Sequence, residues 1–273
     1  MARYQSTYAL VTGAAGGIGL EVARRLSARG HRILAAERDD ILAAQAAEQI
    51  GADAIPVACD LADDAAVAAL SDRVENEWGH DLEICFLNAG IIIPGDVLDT
   101  TPQQIDLQLR IMLGSTIQLA RSAATALSAR GSGHIVATVS QGAVLALPGS
   151  ATYSAAKAGL RAFLAALHLE LRGTGVTVGG VYPSAVDTPM LRHEATHGGS
   201  LLNFVGTISS VSDVADAVDK VMRTGRVEVF LPVADGLAAR LLQVAPRLVP
   251  LLLPFADRIG EKGRQRYLAG FSA

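Results

Sequence analysis

Three polar side chains with complementary chemistry occur within eighteen residues, between Ser140 and Lys157. Tyr153 and Lys157 stand four positions apart, so on a helix their side chains lie on the same face. A nearby ammonium group favours the phenolate, which predicts that the pKa of the Tyr153 phenol falls from about 10 towards neutrality. Such a phenol exchanges a proton with an alcohol or carbonyl oxygen, and Ser140 is placed to hydrogen-bond the same oxygen. The alternative is an ordinary helix that carries an exposed tyrosine and lysine.

Composition narrows the class of protein. The 273 residues are half apolar and only 18% charged, as expected of a buried parallel sheet covered by alanine-rich helices. The net charge of −4 carries no electrostatic footprint for nucleic acid, so no nucleic-acid partner is expected. Strand signal within the first ten residues leaves no room for a secretory peptide, and no apolar run reaches the roughly 18 residues of a spanning helix. With Cys59 and Cys85 expected in strands as buried reduced thiols, the sequence predicts a cytoplasmic protein.

Short apolar strands and helical patterns alternate along the chain. The predicted strands are Tyr8–Thr12, Ile33–Ala36, Ala54–Ala58, Ile84–Leu87, His134–Ser140, Val176–Tyr182 and Val227–Leu231. The predicted helices are Ile18–Ala28, Ile41–Gln49, Ala65–Glu77, Pro102–Ala129 and Ser154–Arg172, the fourth opening on Thr101 and Gln104 as a capping box. This alternation predicts an α/β protein with one doubly wound domain, whose seven-stranded parallel sheet is flanked by helices. We expect that domain over 1–232, with a substrate lid at about 190–210, and a C-terminal apolar extension over 233–273.

The first predicted strand runs directly into TGAAGGIG, in which Gly13, Gly17 and Gly19 are spaced GxxxGxG. Glycines permit a tight turn and a close approach of the backbone, and the helix that follows offers its amino end to a pyrophosphate. Because the turn lies between an N-terminal strand and a helix, it favours a dinucleotide-binding site over a purely structural loop.

Glu37 ends the second predicted strand, eighteen residues past Gly19. A carboxylate there accepts hydrogen bonds from the adenosine ribose hydroxyls and repels a 2′-phosphate, which favours NAD over NADP. Arg38 follows at once and suits a phosphate, and a solvated ion pair of the two side chains is the alternative. NAD is therefore the expected cofactor, with NADP as the second choice.

Further motifs follow the glycine-rich turn in order: Cys59-Asp60-Leu61, Asn88-Ala89-Gly90, Ser140, Tyr153-x-x-x-Lys157 and Tyr182-Pro183. Together they resemble the short-chain dehydrogenase/reductase family over about residues 6–232. The resemblance implies a Rossmann-type domain and hydride transfer between a nicotinamide and a carbinol or carbonyl carbon. It also implies that Tyr153 is the general acid/base, that Ser140 orients the substrate oxygen, and that Lys157 holds the nicotinamide ribose and lowers the pKa of the tyrosine.

The resemblance also assigns residues to the cofactor, with Asp60 at the adenine edge. The full set is Gly13, Gly17, Ile18, Gly19, Glu37, Asp60, Leu61, Asn88, Ala89, Gly90, Tyr153, Lys157, Pro183, Val186 and Thr188. Two of these motifs have simpler interpretations. Asp60 would then cap the helix that begins near Asp63, and Asn88-Ala89-Gly90 would be a turn chosen for its tolerance of left-handed backbone.

Two positions depart from the pattern of the family. Ser184 stands where a glycine usually follows Pro183, and it is expected to stiffen the hinge of the adjoining lid. Ile111, three residues before Gly114, replaces an asparagine that in the family helps to hold a water linking the lysine to solvent. Because an isoleucine side chain cannot hydrogen-bond, the proton exit is expected to differ or to be slower, with activity retained. Plain core packing is the alternative for Ile111.

The expected lid runs from Met190 to Ser209 and contains Gly198-Gly199 as a hinge. Leu201, Leu202 and Phe204 are expected to give it an apolar lining. His193 and His197 stand four apart, a spacing compatible with a metal ion on a helix, but no third ligand cluster accompanies them. No metal is predicted.

The C-terminal extension is apolar first and basic afterwards. Pro246, Pro250 and Pro254 predict that no continuous helix forms there. We expect the extension to pack on the substrate pocket or on a partner subunit, with contact of 241–266 with a membrane surface as the alternative. The family resemblance implies a homodimer or homotetramer.

These features predict an NAD-dependent oxidoreductase that interconverts a secondary alcohol and a ketone. An apolar lid and an apolar extension indicate a bulky hydrophobic substrate. The alternatives are a non-catalytic dinucleotide-binding regulatory protein and an epimerase or dehydratase on the same fold.

Overall fold

Seven parallel strands form one sheet in the computed structural model, which describes residues 7–271. The predicted segments 1–232 and 233–273 therefore include a few terminal residues that lie outside the described range. The strands are β1 (Tyr8–Thr12), β2 (Arg32–Glu37), β3 (Ile55–Ala58), β4 (Leu82–Leu87), β5 (Gly133–Thr138), β6 (Val176–Pro183) and β7 (Glu228–Leu231). Their order is β3-β2-β1-β4-β5-β6-β7, so the direction of winding reverses between β1 and β4. This confirms the doubly wound, Rossmann-type sheet and places a crevice at the carboxyl ends of β1 and β4.

Helices cover both faces of the sheet. They are α1 (Gly17–Ala28), α2 (Asp40–Ile50), α3 (Asp64–Asp72), α4 (Pro102–Leu109), α5 (Ser115–Arg130), α6 (Ala151–Glu170), α7 (Pro189–His197), α8 (Val211–Thr224), α9 (Val233–Val244) and α10 (Val249–Ala269). Alternate residues of β1 enter different cores, because side chains along a strand point to opposite faces. Leu10 packs with α3, α5 and α6, whereas Ala9 and Val11 pack with α1, α2 and α8.

Both cysteines are buried free thiols, as the sequence predicted. Cys85 lies within β4, but Cys59 follows the last residue of β3 rather than lying inside a strand. Burial raises the pKa of the Cys59 thiol to about 11, so this thiol stays protonated at neutral pH.

The helix predicted over Pro102–Ala129 forms, but a π-helical turn at Arg110–Gly114 separates α4 from α5. Its start has the predicted capping box, in which the Thr101 hydroxyl accepts from the Gln104 amide and the Gln104 side chain accepts from the Thr101 amide. A π turn inserts an extra residue and shifts the side chains that follow it around the axis. Ile111 lies in this turn and contributes to the crevice.

The prolines interrupt the C-terminal extension less than predicted. A 3₁₀ turn over Pro246–Leu248 separates α9 from α10, but α10 continues through Pro254 for 21 residues. Pro250 lies in the first turn of α10, where a backbone N–H has no helical partner to lose. Pro254 is exposed and forfeits a single hydrogen bond, so the prediction of no continuous helix was wrong for Val249–Ala269.

Within residues 7–271, no single helix combines the length and apolar character needed to cross a membrane. The segments Val233–Val244 and Pro246–Ala269 meet both conditions only when taken together, and they are bent by 101°.

The second half of α10 packs against the lid of the same chain. A Cβ on Gly260 would lie 2.2 Å from the carbonyl oxygen of Leu201, and a Cβ on Gly263 would lie 2.0 Å from that of Phe204. The Tyr267 ring lies 5.7 Å from the Phe204 ring, centroid to centroid. The absence of side chains at the two glycines lets the helix approach the lid backbone closely.

Candidate active site

The glycine-rich turn joins β1 to α1 at the carboxyl edge of the sheet. Gly13 and Gly17 have φ values of 68° and 54°, in the left-handed region that glycine favours. A Cβ on Gly19 would lie 1.9 Å from the carbonyl oxygen of Gly13, so only glycine lets α1 pack on the turn. Gly13, Gly17 and Ile18 line the crevice, whereas Gly19 is buried behind them and maintains the shape of the turn.

The crevice is a cleft of about 600 Å³ that brings the catalytic and cofactor motifs together. Of the predicted residues, it is lined by Gly13, Gly17, Ile18, Glu37, Asp60, Leu61, Asn88, Ala89, Gly90, Ser140, Tyr153, Lys157, Pro183, Val186 and Thr188. Glycines at the amino end of α1 let the backbone approach a pyrophosphate closely. The carboxylates of Glu37 and Asp60 line the same cleft and suit the adenosine part of a dinucleotide. The residues present therefore fit the predicted cofactor.

Glu37 is fixed by the turn that it faces. The backbone amide of Ala15 donates to Glu37 Oε1 at 2.8 Å, which leaves the second oxygen to accept from a ribose hydroxyl. Arg38 does not pair with Glu37 but with Asp39, at 3.2 Å between Nε and Oδ2, so the ion-pair alternative was wrong. The Arg38 side chain is 74% exposed and also borders the cleft.

Asp60 is not a helix cap. The cap of α3 is Asp63, whose side chain accepts from the Ala65 amide at 2.8 Å. Asp60 Oδ1 instead accepts from the Ala62 amide at 2.9 Å, in a short turn that presents the exposed carboxylate at the cleft. The capping alternative for Asp60 was therefore wrong.

Asn88 joins three strands at the base of the cleft. Its Nδ2 donates to the carbonyls of Thr12 and Gly13 at 3.2 Å each, and its Oδ1 accepts from the Thr138 hydroxyl at 3.0 Å. No non-glycine residue in 7–271 has positive φ, and Gly90 is not among the glycines that do. The left-handed interpretation of Asn88-Ala89-Gly90 was wrong, because these residues act through hydrogen bonds and close contact.

The segment that follows β6 connects the lid to the turn. Thr188 caps α7 by accepting from the Leu191 amide at 3.4 Å, and its hydroxyl donates to the Val186 carbonyl at 3.2 Å. The Thr188 methyl lies 3.3 Å from the position of a Cβ on Gly17. The Ser184 amide donates to the Leu231 carbonyl at 2.8 Å, which ties this segment to β7.

Ser140, Tyr153 and Lys157 meet in the cleft. Ser140 follows β5 and is 7% exposed, and its hydroxyl oxygen accepts from the Gly142 amide at 3.0 Å. Tyr153 and Lys157 lie one turn apart on α6, with the Lys157 Nζ 5.8 Å from the centre of the Tyr153 ring. The same ammonium donates to the Thr138 carbonyl at 2.7 Å. The Lys157 ammonium is therefore held between the last residue of β5 and the Tyr153 ring.

The electrostatics of this group differ from the prediction. Burial raises the pKa of Tyr153 to about 12, with the Ser140 hydroxyl acting in the opposite direction and Glu194 adding to the increase. Burial lowers the pKa of Lys157 to about 8. The predicted fall in the pKa of Tyr153 was wrong for this arrangement, because desolvation by burial is the largest influence and the Ser140 hydroxyl opposes it only in part. At neutral pH the phenol is protonated and can donate.

The lid presents other side chains than predicted. Leu201, Leu202 and Phe204 do not line the cleft, because their turn faces α10 and Phe204 is buried with Tyr267. The lid residues that line the cleft are Met190, Leu191, Glu194 and Asn203. The sequence assigned the apolar lining to Leu201, Leu202 and Phe204, which form a 3₁₀ turn. Met190 and Leu191 of α7 provide part of that lining instead.

Sequence reasoning missed three residues of the site. Thr138 binds both Asn88 and Lys157, and its position two residues before Ser140 was the available signal. Glu194 stands three positions after the buried Leu191, a spacing that places both on the inner face of a helix. Asn203 had no signal of its own, since its contact with Glu194 depends on how the lid folds.

Ile111 packs in the core, as the alternative interpretation predicted. Its side chain is half-buried against the core and also borders the cleft. The altered proton exit expected at this position stays a prediction. The Thr116 hydroxyl donates to the Ile111 carbonyl at 3.2 Å. The backbone at this position therefore has a hydrogen-bonding partner within its own helix.

His193 and His197 stack on the exposed side of α7, with their ring centroids 4.1 Å apart. His197 Nδ1 hydrogen-bonds the Thr196 hydroxyl and the His193 carbonyl. Over residues 7–271 there is no group of three or more side chains suited to holding a metal ion.

Comparison with known proteins agrees with this geometry. Residues 7–199 match the short chain dehydrogenase family. The chain is 36% identical over 194 residues to 1-deoxy-11-beta-hydroxypentalenate dehydrogenase of Streptomyces exfoliatus, a match that covers 69% of this chain and 70% of that one. It is 34% identical over 196 residues to a versicolorin reductase of Emericella nidulans, covering 69% and 72% of the two chains.

A solved structure supports the same assignment. The short-chain dehydrogenase from Sphingobium yanoikuyae, in complex with NADPH, superposes with a TM-score of 0.75 at 25% identity, over 90% of this chain and 95% of that one. The structural match thus includes more of this chain than residues 7–199, which the family match covers. The chain belongs to the short-chain dehydrogenase/reductase family of Rossmann-fold oxidoreductases.

Proposed function

We propose that the protein uses a nicotinamide dinucleotide, preferentially NAD, to interconvert a ketone and a secondary alcohol. The observation that carries the proposal is the convergence of Ser140, Tyr153 and Lys157 on the cleft that begins at the glycine-rich turn. The dinucleotide supplies or accepts the hydride. Gly13, Gly17 and Glu37 would hold its adenosine and pyrophosphate portions.

The protein's own groups handle the oxygen and its proton. Ser140, whose hydroxyl oxygen is fixed by the Gly142 amide, keeps its proton free to donate to the substrate oxygen. Tyr153 passes a proton to that oxygen in reduction and removes it in oxidation. Lys157, held by the Thr138 carbonyl, stabilises negative charge on the phenol and donates to the nicotinamide ribose.

The protonation of Tyr153 favours one direction at neutral pH. A phenol with a pKa of about 12 is almost entirely in the form that donates a proton, which is the form that carbonyl reduction requires. Alcohol oxidation requires the phenolate, whose fraction increases with pH. Near pH 7 the form of the enzyme that starts carbonyl reduction is therefore far more populated than the form that starts alcohol oxidation.

An apolar wall supports a bulky hydrophobic substrate. The apolar side chains that border the cleft, apart from those at the glycine-rich turn, include Ile91, Ile92, Leu107, Ile111, Leu147, Met190 and Leu191. They come from the loop after β4, from α4 with its π turn, from the segment after Ser140 and from α7. Burial of a large apolar skeleton against these side chains contributes roughly 25 cal/mol per Å².

Reduction of a panel of hydrophobic ketones tests the proposal directly. Loss of absorbance by NADH or NADPH upon addition of the ketone, with formation of the alcohol, is the expected result. An epimerase or dehydratase would convert its substrate without net consumption of NADH, and a regulatory protein would bind NADH without converting any substrate. Either outcome across the panel would contradict the proposed reaction.

Replacement of Glu37 tests the cofactor preference. Glu37→Ala removes the acceptor for the ribose hydroxyls and the repulsion of a 2′-phosphate, so the NADP-to-NAD ratio of kcat/KM is expected to increase about tenfold or more. Arg38→Ala is the matched control, expected to lower the use of NADP without improving that of NAD. A wild-type enzyme that prefers NADP, with a ratio that Glu37→Ala leaves unchanged, would refute this role.

Assembly and location stay predictions. Membership of the family supports a homodimer or homotetramer, which sedimentation velocity of the full chain would establish. The cytoplasmic location expected from the sequence also stays a prediction, which cell fractionation would check.

A further inference from the structure

Glu194 is a buried acid at the substrate end of the cleft. It lies on α7 with 6% of its surface exposed, and it borders the cleft together with Tyr153 and Leu191. Asn203 Nδ2 donates to Glu194 Oε1 at 3.0 Å. A Cβ on Gly199 would lie 2.5 Å from the Glu194 Cβ, so the glycine makes room for the side chain in this position.

The carboxylate has more hydrogen-bonding capacity than its surroundings use. An ionised carboxylate offers about four acceptor sites, and burying one without partners is costly. Within residues 7–271, Asn203 supplies the single hydrogen bond to the Glu194 side chain, and no lysine or arginine forms an ion pair with it. Arg264 of α10 contacts the same helix but donates to the Ala195 carbonyl and to Glu261.

Ser140 and Tyr153 already provide the groups that contact the oxygen of the carbonyl or alcohol. Glu194 borders the same cleft, and its charge contributes to the raised pKa of Tyr153. With the reacting oxygen taken by Ser140 and Tyr153, Glu194 is left to meet another polar group of the substrate. Its Oε2, which accepts no hydrogen bond from the described residues, is the group available to it.

We infer that Glu194 recognises a hydrogen-bond donor, a hydroxyl or an amine, carried by an otherwise apolar ketone at a distance from its reacting carbonyl. The inference rests on the proposed function and specifies its substrate class. A site built around a hydrogen bond rejects a substrate that lacks the donor, because its polar group is then left unpaired. Burial raises the pKa of Glu194 to about 7, so the carboxylate form predominates at pH 8. At that pH a substrate with a carboxylate at the same position is rejected more strongly, because like charges repel.

Three ketones of one skeleton test the inference, with a hydroxyl, a methyl or a carboxylate at the distal position. The wild type is expected to prefer the hydroxyl ketone to the methyl ketone by about tenfold in kcat/KM, and to use the carboxylate ketone least. Glu194→Gln keeps an oxygen to accept from Asn203 but loses the charge, so the discrimination against the carboxylate ketone, measured as its kcat/KM relative to that of the methyl ketone, should be lost. Glu48→Gln, at an exposed position on α2, is the matched control and should change nothing.

Two outcomes would overturn this role. One is an unchanged order of the three ketones in Glu194→Gln, and the other is an equal loss for all three, which would assign Glu194 to the stability of the lid alone. Calorimetric titration of the three product alcohols makes the same comparison without turnover. Selective binding without turnover would then contradict the proposed reaction, and turnover without selectivity would contradict the inference.

A second feature, independent of the cleft, is an apolar surface at the bend between α9 and α10. We call it the apolar elbow, and it consists of Leu237, Leu241, Val244, Leu248, Leu251, Leu252 and Phe255. These side chains are 48% to 85% exposed. An exposed, contiguous apolar surface of this kind marks an interaction site in a natural protein.

Basic residues accompany the apolar elbow. Residues 233–273 carry six basic and three acidic side chains, a net charge of +3 in a chain whose total is −4. Arg247 lies within the elbow, and Arg258 and Lys262 follow it along α10, all exposed. In the part of the chain that the structure describes, none of these three forms an ion pair.

We propose that the apolar elbow docks on an anionic lipid surface. Apolar side chains flanked by lysine and arginine enter the interface of a membrane, and the cations remain with the headgroups. A second copy of the chain is a poorer partner, because two elbows that each carry Arg247, Arg258 and Lys262 would bring like charges together.

Flotation with vesicles tests this docking. The full chain is expected to float with phosphatidylcholine vesicles that contain phosphatidylglycerol, and at least about tenfold less with phosphatidylcholine alone. The combined variant Leu241→Ser, Leu251→Ser, Phe255→Ser, altered only at exposed positions, should lose flotation and keep its melting temperature. Ile41→Ser, at an exposed apolar position on α2, is the control and should float as the wild type does.

Two results would contradict the lipid surface as partner. One is an absence of flotation with either vesicle. The other is a concentration-dependent dimer in sedimentation velocity that the triple serine variant abolishes, which would assign the elbow to a second copy.

Discussion

Replacing Tyr153 by phenylalanine is expected to lower kcat for ketone reduction by about 10²- to 10⁴-fold, the contribution of a positioned acid or base. The substitution removes the hydroxyl that donates the proton and keeps the ring on α6. The glycine-rich turn and Glu37 are unchanged, so the dissociation constant for NADH, measured by fluorescence, should stay within about threefold. The loss should therefore appear in kcat and not in cofactor binding.

The control for this substitution is Tyr8→Phe. The Tyr8 hydroxyl also has one partner, since it accepts from Arg32 at 3.1 Å. Tyr8 is the first residue of β1, however, and the cleft lies at the opposite, carboxyl end of that strand. Its replacement should leave kcat unchanged. In the wild type, Tyr153 stays protonated throughout the neutral range, since its pKa is raised to about 12. A fall in the rate of reduction is therefore expected only as the pH approaches and passes about 8, where Lys157 loses its proton. Turnover by Tyr153→Phe at the wild-type rate would exclude this tyrosine as the proton donor.

Replacing Lys157 by methionine is expected to lower kcat/KM by at least about 10²-fold without lowering stability at neutral pH. The first effect follows from the loss of positive charge beside Tyr153. The second follows from burial, which lowers the pKa of Lys157 from 10.5 to about 8 and so disfavours the ammonium in the folded protein by on the order of 3 kcal/mol. Loss of the donor to the Thr138 carbonyl offsets part of that gain, by about 1–3 kcal/mol.

The pH dependence distinguishes this explanation from a purely structural one. Below about pH 8 both the folded and the unfolded chain carry the ammonium, and the folded protein bears its full desolvation cost. Between about pH 8 and 10.5 the unfolded chain alone holds the proton, so wild-type stability increases with pH through this component. The melting temperature of Lys157→Met relative to wild type should therefore be higher at pH 7 than at pH 10. An opposite trend, or any trend in the control Lys220→Met on α8, would contradict it.

Local signals made much of the fold and the site predictable. The glycine-rich turn depends on backbone conformations at Gly13 and Gly17 that few other residues adopt, so its residue types report its shape directly. The spacing of Tyr153 and Lys157 is likewise a property of one helix. In a parallel sheet the carboxyl ends of neighbouring strands lie at one edge. The alternation of strands and helices was therefore enough to predict that the glycine-rich turn and the Tyr153–Lys157 helix meet there.

Properties that depend on contacts between distant segments were not predictable in the same way. The pKa of Tyr153 depends on how completely the lid and α6 exclude water, and the sequence shows only that a lysine lies one turn away. The direction of Phe204 depends on α10, which was itself expected to be broken by its prolines. Glu194 resembles any acid on an amphipathic helix until its burial and its bond with Asn203 are known.

Opening of the predicted lid would disturb its packing on α10. Gly260 and Gly263 bring that helix against the backbone of Leu201 and Phe204, and the Tyr267 hydroxyl donates to Asp187 at 2.7 Å, at the base of the lid. The lid therefore either slides along the glycines or moves together with the 21-residue helix. If product release requires the predicted lid to open, it is a motion of two packed layers rather than of a free loop, and the residence time of the product would depend on a helix that contributes no residue to the cleft.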